Sequence, residues 1–252
     1  MFRGHLVGVV TQTGVVLCVL AIWQFCVTAF AVSSDKLPPP SDILAMLWTD
    51  RRLFADAAMT TLNETLLGLV AGILFGVLSG IAFANSRLLE RIFLPYFVAS
   101  QAVPIIAFGA IIIMWFGNGI LPKAVIAFYL SFFPIAVNTL AGMRRIGADE
   151  VGLLRSFGAT RFAILRKLQM PAAIPSIFTA IRLGAGLALV GAIVGEWFGA
   201  TRGLGAILLS AMFDYRVTQL WAAIVAIGLL GAILFGVVAL LHRRIAWWDT
   251  GA

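Results

Sequence analysis

The sequence predicts an all-α protein that crosses a membrane six times, and two observations support this fold class. Of its 252 residues, 62% are hydrophobic and only 12% are charged, whereas about 25% of a soluble protein is charged. Six apolar runs are long enough to cross a bilayer, which takes about 20 residues of helix. A segment inside the hydrocarbon must satisfy its own backbone hydrogen bonds, so each run is expected to be helical.

The six predicted spans follow from hydropathy along the chain. They cover about residues 6–32, 62–84, 93–116, 124–143, 174–198 and 220–241. The first run is longer than the hydrophobic part of a signal peptide, which has about 7–15 residues, so we expect it to remain as a span. It holds both cysteines, Cys18 and Cys26, which are about 12 Å apart along a helix and too distant for a disulfide.

The connection between the first two spans begins with Leu37 and three consecutive prolines. Consecutive prolines favour a stiff, extended chain. An amphipathic segment starts at Ile43 and runs past Trp48, and we expect it to lie along the outer membrane surface.

The distribution of lysine and arginine indicates that both termini face the cytoplasm. In that orientation eleven of the eighteen basic residues lie inside, six lie outside, and Arg182 falls within the fifth span. The net charge of +7 is then cytoplasmic loop charge, and no basic patch with exposed aromatics indicates a nucleic-acid partner.

Glycine recurs at every fourth position in the second span and, over a shorter stretch, in the fifth. The two series are Gly68, Gly72, Gly76 and Gly80, and Gly191, Gly195 and Gly199. A helix face lined with glycine lets a neighbouring helix approach closely. Such a face suits tight packing, and it would also let helices slide past each other, so both interpretations stay open here.

Residues 147–175 form a polar stretch between two apolar spans. With the two arginines before it, this stretch holds six of the eighteen basic residues. Its pattern predicts a helix, a turn at Gly158 and a second helix that ends at Met170 and Pro171. An ordered helical pair on the cytoplasmic side predicts a docking surface.

Several kinds of chemistry are missing from the sequence. No Gly-Lys pair occurs, so there is no phosphate-binding loop of the Walker type, and no cluster of histidine, cysteine and carboxylate has the spacing of a metal site. Glu64 and Glu196 fall near the outer boundary, so we expect no paired carboxylates inside the membrane. A secondary transporter normally carries such groups, and their expected absence favours an energy source in another subunit.

Residues 152–171 resemble the cytoplasmic signature of type I binding-protein-dependent ABC importer permeases. That signature reads E-A-A, three residues, Gly, nine residues, Ile-x-Leu-Pro. Gly158, Leu168, Met170 and Pro171 occupy positions of its second part, whereas residues 152–154 read Gly-Leu-Leu in place of E-A-A.

The resemblance extends over about residues 37–248 and is to the nitrate, sulfonate and taurine subfamily. No single similar segment is decisive, but their order along the whole chain makes the resemblance specific. Besides the early Leu-Pro-Pro-Pro, the similar segments are Pro104, residues 112–117, 132–134, 138–139, 141–142, 181–183, 194–196, 203–205 and 243–247.

The resemblance implies a type I ABC importer permease fold in three parts: residues 1–59 with the first span, a transmembrane domain over 60–245 with a coupling loop at 144–175, and a cytoplasmic tail at 246–252. Residues 149–159 become the helix that docks on an ATPase subunit. The residues assigned to coupling are Asp149, Glu150, Arg155, Ser156, Gly158, Ala159 and Pro171.

The resemblance also implies the function: a permease subunit of the bacterial inner membrane, without enzymatic activity, cofactor or metal. Its expected partners are ABC ATPase subunits, an extracytoplasmic solute-binding protein, a second copy of itself and the lipid bilayer. The expected solute is small and similar to a sulfonate, taurine or nitrate. A thiamine- or riboflavin-type precursor is the alternative, and an ion-coupled secondary transporter or a membrane scaffold are more distant ones.

Five residues are candidates for the translocation path: Gln101, Pro104, Asn138, Arg182 and Glu196. A polar side chain in a span faces protein or a cavity, so Gln101 contacts either a neighbouring helix or the solute. Arg182 either extends toward the inner membrane surface or attracts an anion. Glu196 either contacts the binding protein or caps the outer end of the fifth span.

Overall fold

The computed structural model describes residues 2–248, with side-chain surroundings from residue 14 onward, so residues 249–252 of the expected tail lie outside the described part. Within that part the chain forms helices and no strand. The helices are α1 (Phe2–Ala29), α2 (Pro40–Thr49), α3 (Arg51–Asn85), α4 (Arg87–Ser100), α5 (Ile105–Phe116), α6 (Ile120–Met143), α7 (Ala148–Ser156), α8 (Arg161–Ile164), α9 (Met170–Glu196), α10 (Leu204–Phe213) and α11 (Val217–Ile245).

Four continuous helices in the described chain are long and apolar enough to cross a membrane. They are α3, α6, the stretch Arg161–Glu196 and α11. The pair α4 and α5 is long and apolar enough only when its two halves are taken together, and α1 corresponds to the first predicted span. The all-α prediction is therefore confirmed, and the predicted surface segment after the prolines is a helix, α2.

The third predicted span is wrong as a single straight helix. Between α4 and α5 the axis bends by 96°, and residues 101–103 close tight turns, each donating its N–H to the carbonyl three residues back. Pro104 follows with an extended backbone, because proline has no N–H to continue the ladder. The Ser100 carbonyl, which accepts from the Val103 N–H, also accepts from the Tyr129 hydroxyl, and this second bond ties the end of α4 to α6.

The centre of the molecule is α6, which lies between the glycine faces of α3 and α9. A β-carbon added at Gly76 would lie 2.7 Å from the Phe132 carbonyl oxygen, and one at Gly191 would lie 2.7 Å from the Ala127 α-carbon. The absence of side chains therefore lets three helices meet at backbone distance. The predicted ridges serve packing, except that Gly199 lies beyond the end of α9 with φ +85° and is a turn glycine.

The prediction that Pro171 ends a helix is also wrong. Leu165–Gln169 forms a π-helical turn, and one helix continues from Arg161 to Glu196 for 36 residues, about 54 Å; we call it the long helix. In an α-helix the Pro171 ring would clash with the carbonyl four residues back. The wider π turn, closed by the Met170 N–H donating to Leu165 five residues back, precedes the proline. Pro171 then falls in the first turn of α9, where its missing N–H costs little.

Candidate functional site

The polar loop between α6 and the long helix has a fixed local structure. The N–H of Gly158 donates to the Arg155 carbonyl at 2.9 Å, and that of Ala159 donates to the Leu154 carbonyl at 3.0 Å. This pair of bonds, with Gly158 at φ +79°, is a Schellman cap. The predicted turn at Gly158 is confirmed, since a residue with a β-carbon is strained there.

Side chains at both ends of α7 and at the start of the long helix stabilise those helix ends. The Thr160 hydroxyl accepts from the Ala163 N–H at 3.2 Å and caps the long helix. Asp149 and Glu150 lie in the first turn of α7 and Arg155 in its last turn, which suits the helix dipole. The segment is therefore an ordered projection on the side that we assign to the cytoplasm.

This projection exposes large apolar side chains. Leu153, Phe157 and Phe162 are 59%, 79% and 69% exposed, although they lie outside the predicted spans. Exposed apolar groups rimmed by charges mark an interaction surface. We call these three residues the loop patch. Sequence reasoning missed the patch because Leu153 counted only as a departure from the E-A-A pattern.

The other predicted coupling residues lie on α7, in the turn that follows it, or on the long helix. The Ser156 hydroxyl donates to the Leu153 carbonyl at 2.7 Å, so it stabilises the end of α7. Pro171 lies farther along the long helix, beyond the π turn.

At the outer end of the bundle the structure contains a buried cluster of charged residues, Glu64, Lys123 and Glu196, which we call the outer cluster. Lys123 Nζ lies 3.3 Å from Glu64 Oε1, with both side chains almost fully buried. Glu196 is completely buried; its Oε1 accepts from the Thr61 hydroxyl at 2.6 Å and its Oε2 from the Gly205 N–H at 2.5 Å. The cluster therefore joins α3, α6, α9 and the start of α10.

The cluster corrects two expectations from the sequence. Glu64 and Glu196 interact within one site, so the chain does carry paired buried carboxylates, and Glu196 contacts its own chain rather than solvent. Lys123 precedes the predicted fourth span by one residue and counted among the six basic residues expected outside, but it is buried in α6. The sequence did contain a signal for the burial of Glu64. Glu64 lies four residues before Gly68 and therefore on the glycine face of α3 that packs on α6.

The five path candidates do not form one site in this structure. Gln101 lies at the break between α4 and α5 and its amide donates to Ser100 Oγ at 3.3 Å. The Asn138 amide donates to the Pro134 carbonyl in its own helix at 2.8 Å, and Arg182 is exposed on α9. No hydrogen bond or ion pair among the described residues joins any two of the five.

Residues 72–247 match the family described as "Binding-protein-dependent transport system inner membrane component". The chain belongs to this family. The permease is 30% identical to the "Taurine transport system permease protein TauC" of Escherichia coli, over 95% of this chain and 90% of that protein. It is 33% identical to the "Formylaminopyrimidine transport permease protein ThiX" of Halalkalibacterium halodurans, over 92% and 93%. It is 30% identical to the "Riboflavin transport system permease protein RibX" of Chloroflexus aurantiacus, over 92% and 88%.

Among solved structures, the permease is similar to a chain of the inward-facing MetNI methionine ABC transporter. The TM-score is 0.68 at 19% sequence identity, over 78% of this chain and 97% of that chain. This similarity confirms the type I ABC importer permease fold. The family confirms that the chain is a membrane-spanning permease subunit of a binding-protein-dependent importer.

Proposed function

We propose that two copies of the permease form the translocation path of an ATP-driven importer in a bacterial inner membrane. Two ATPase subunits dock on the cytoplasmic side and hydrolyse ATP, and a solute-binding protein delivers solute on the outer side. The loop patch carries the proposal, because an ordered helix that exposes Leu153 and Phe157 to water is costly unless a partner covers it.

Docking uses the whole projection. The loop patch supplies the apolar contact, while Asp149, Glu150 and Arg155 supply charges around it. The Schellman cap at Gly158 fixes the angle between α7 and the long helix, so a movement of the docked ATPase is passed to the membrane rather than absorbed by the loop. Two alternating conformations, each favoured by a different nucleotide state of the ATPase, then drive transport.

The proposed path runs past the break between α4 and α5. Gln101 and Pro104 lie at that break, where the polar groups of a bent backbone can face a cavity inside a membrane protein. Asn138 and Arg182 complete the proposed path. Glu196 is left out of it, because all of its contacts are internal to the outer cluster.

We propose a small sulfonate, taurine or nitrate as the solute. Relatives named as taurine and aliphatic sulfonate permeases support this class, while those named for formylaminopyrimidine and riboflavin keep a vitamin precursor as the second candidate. Ligand binding by the solute-binding protein that works with this permease distinguishes the two, with taurine and formylaminopyrimidine as probes.

We expect Phe157→Asp to abolish association with the ATPase, because it places a charge in the centre of the apolar contact. The wild type and the variant are purified from membranes of the native host, and bound ABC ATPase is measured by mass spectrometry and by ATP hydrolysis. Trp247→Asp is the matched control, since Trp247 is 76% exposed and lies after α11, on the side that we assign to the cytoplasm. Full ATPase recovery with Phe157→Asp, or equal loss with both variants, contradicts docking at the loop patch.

The rival function is ion-coupled secondary transport. One observation supports it: the outer cluster holds two buried carboxyl groups, the kind of group that such transporters carry within the membrane. The permease alone, reconstituted in vesicles under a proton or sodium gradient, is expected to show no solute uptake until ATPase, binding protein and ATP are added. Uptake by the permease alone would support the rival.

A further inference from the structure

A cavity of about 980 Å³ lies beside α4 and takes no part in the features described so far. Its wall follows α4 from Arg87 to Ala99, and the end of α3 and the residue that follows α6 complete it. It starts at the end of α4 that the arginine distribution places in the cytoplasm, and it extends along the helix toward the bend at residues 101–104.

The cytoplasmic end of this cavity carries an excess of positive charge. Arg144 donates to both oxygens of Glu90, at 2.8 and 2.5 Å, so these two charges offset each other in a bidentate pair. Arg87 and Arg91 also line the cavity, and neither forms an ion pair within the described part of the chain. Three arginines and one glutamate therefore give the lining of the cavity a net charge of +2, which attracts an anion.

The part of the cavity farther along α4 is apolar. Leu94, Pro95 and Val98 also line the cavity. Leu94 and Pro95 lie three and four residues after Arg91, and Val98 lies four residues after Leu94, as expected for one side of a helix. The cavity is thus cationic at the cytoplasmic edge and apolar farther in. The positive end of the α4 dipole lies at the cationic edge and favours negative charge there.

We propose that this cavity binds an anionic group, such as a phosphate, sulfonate or carboxylate, that carries an apolar portion. Arg87 and Arg91 contact the anion, and the wall of Leu94, Pro95 and Val98 contacts the apolar portion. The ligand is a small organic anion from the cytoplasm or the head group of an anionic lipid; both present the same chemistry to the arginines. The proposal goes beyond the proposed transport function, and its test requires no transport.

The experiment uses the full chain in phosphatidylcholine nanodiscs. Butanesulfonate and inorganic phosphate are titrated by calorimetry, and a second preparation with phosphatidylglycerol added is analysed by native mass spectrometry for retained anionic lipid. Removing the two charges in Arg87→Gln/Arg91→Gln is expected to weaken binding about tenfold or more, because hydrogen bonds to charged groups are among the strong ones. If Arg87→Gln/Arg91→Gln weakens the binding of butanesulfonate or phosphate, the cavity is a site for a soluble anion. If it reduces only the amount of retained phosphatidylglycerol, the cavity is a site for a lipid head group.

Two further variants separate a built site from general charge. Arg145→Gln/Arg243→Gln removes the same charge from exposed positions outside the cavity and is expected to bind as the wild type does. Glu90→Gln frees Arg144 and is expected to bind the anion several-fold more tightly, a change that misfolding cannot produce. The proposal is overturned if the wild type binds no probe, if the control loses as much as the cavity variant, or if Glu90→Gln weakens binding.

Discussion

Replacing Lys123 by methionine is expected to destabilise the permease by about 3–5 kcal/mol, because it removes one partner of a buried ion pair. Glu64 Oε1 would lose its cation, and Glu64 Oε2 already has no hydrogen-bond partner among the described residues. The carboxyl would then be buried beside a second carboxyl, that of Glu196, with no cation to offset it among the described residues. Thermal unfolding of the purified permease in detergent measures the loss.

Two comparisons isolate the electrostatic cause. Lys123→Met/Glu64→Gln removes the orphaned charge and is expected to recover more than half of the lost stability, as neutral replacements of buried pairs do. Lys36→Met changes an exposed lysine and is expected to have an effect within about 0.5 kcal/mol. A double variant no more stable than Lys123→Met alone would show that Lys123 acts through packing instead.

Adding methyl groups on both sides of α6 has the second large expected effect. A β-carbon at Gly68 would lie 2.6 Å from the Ala124 carbonyl oxygen, and one at Gly191 would lie 2.9 Å from the Ile126 carbonyl oxygen. Both obstacles are backbone, so the helices must separate. We expect about 1–3 kcal/mol of destabilisation for each substitution, and loss of monodisperse protein in Gly68→Ala/Gly191→Ala.

The matched control is Gly228→Ala/Gly236→Ala in α11, where an added β-carbon meets nothing within 4 Å. Alanine is the better helix former, so each change is expected to be neutral or to stabilise by about 0.5–1 kcal/mol. Size-exclusion profiles and melting temperatures compare the two pairs. If the α6 pair behaves as the α11 pair does, the close approach of the helices is not required.

The sequence predicted the helical class well because a membrane leaves the backbone few other choices. The prediction of individual helices failed at the bend and at the π turn, because hydropathy does not report the direction of a helix axis. The bend before Pro104 joins two apolar helices, and a run of apolar residues reads the same whether it is straight or turned by 96°. The continuation through Pro171 depends on a π turn, which no simple residue pattern announces.

The sequence also located the turn at Gly158, since only a few residues accept a positive φ. Phe157 and Phe162 could not be recognised in the same way, because a phenylalanine near a membrane protein's loop is equally compatible with burial. Glu64 was misjudged because it was considered by its distance along the span rather than by the helix face it shares with Gly68. The cluster it forms requires the three-dimensional meeting of α3, α6 and α9.

The length of the long helix determines how far its outer end would move when the helix tilts. Its α9 part is 27 residues long, about 40 Å, and the π turn is the one non-α segment between it and the capped loop. A tilt of about 10° at that turn would move the outer end of α9 by about 7 Å. That end carries Glu196, which is hydrogen-bonded to α3 and to the start of α10, so a small rotation at one membrane surface would become a large displacement of several helices at the other.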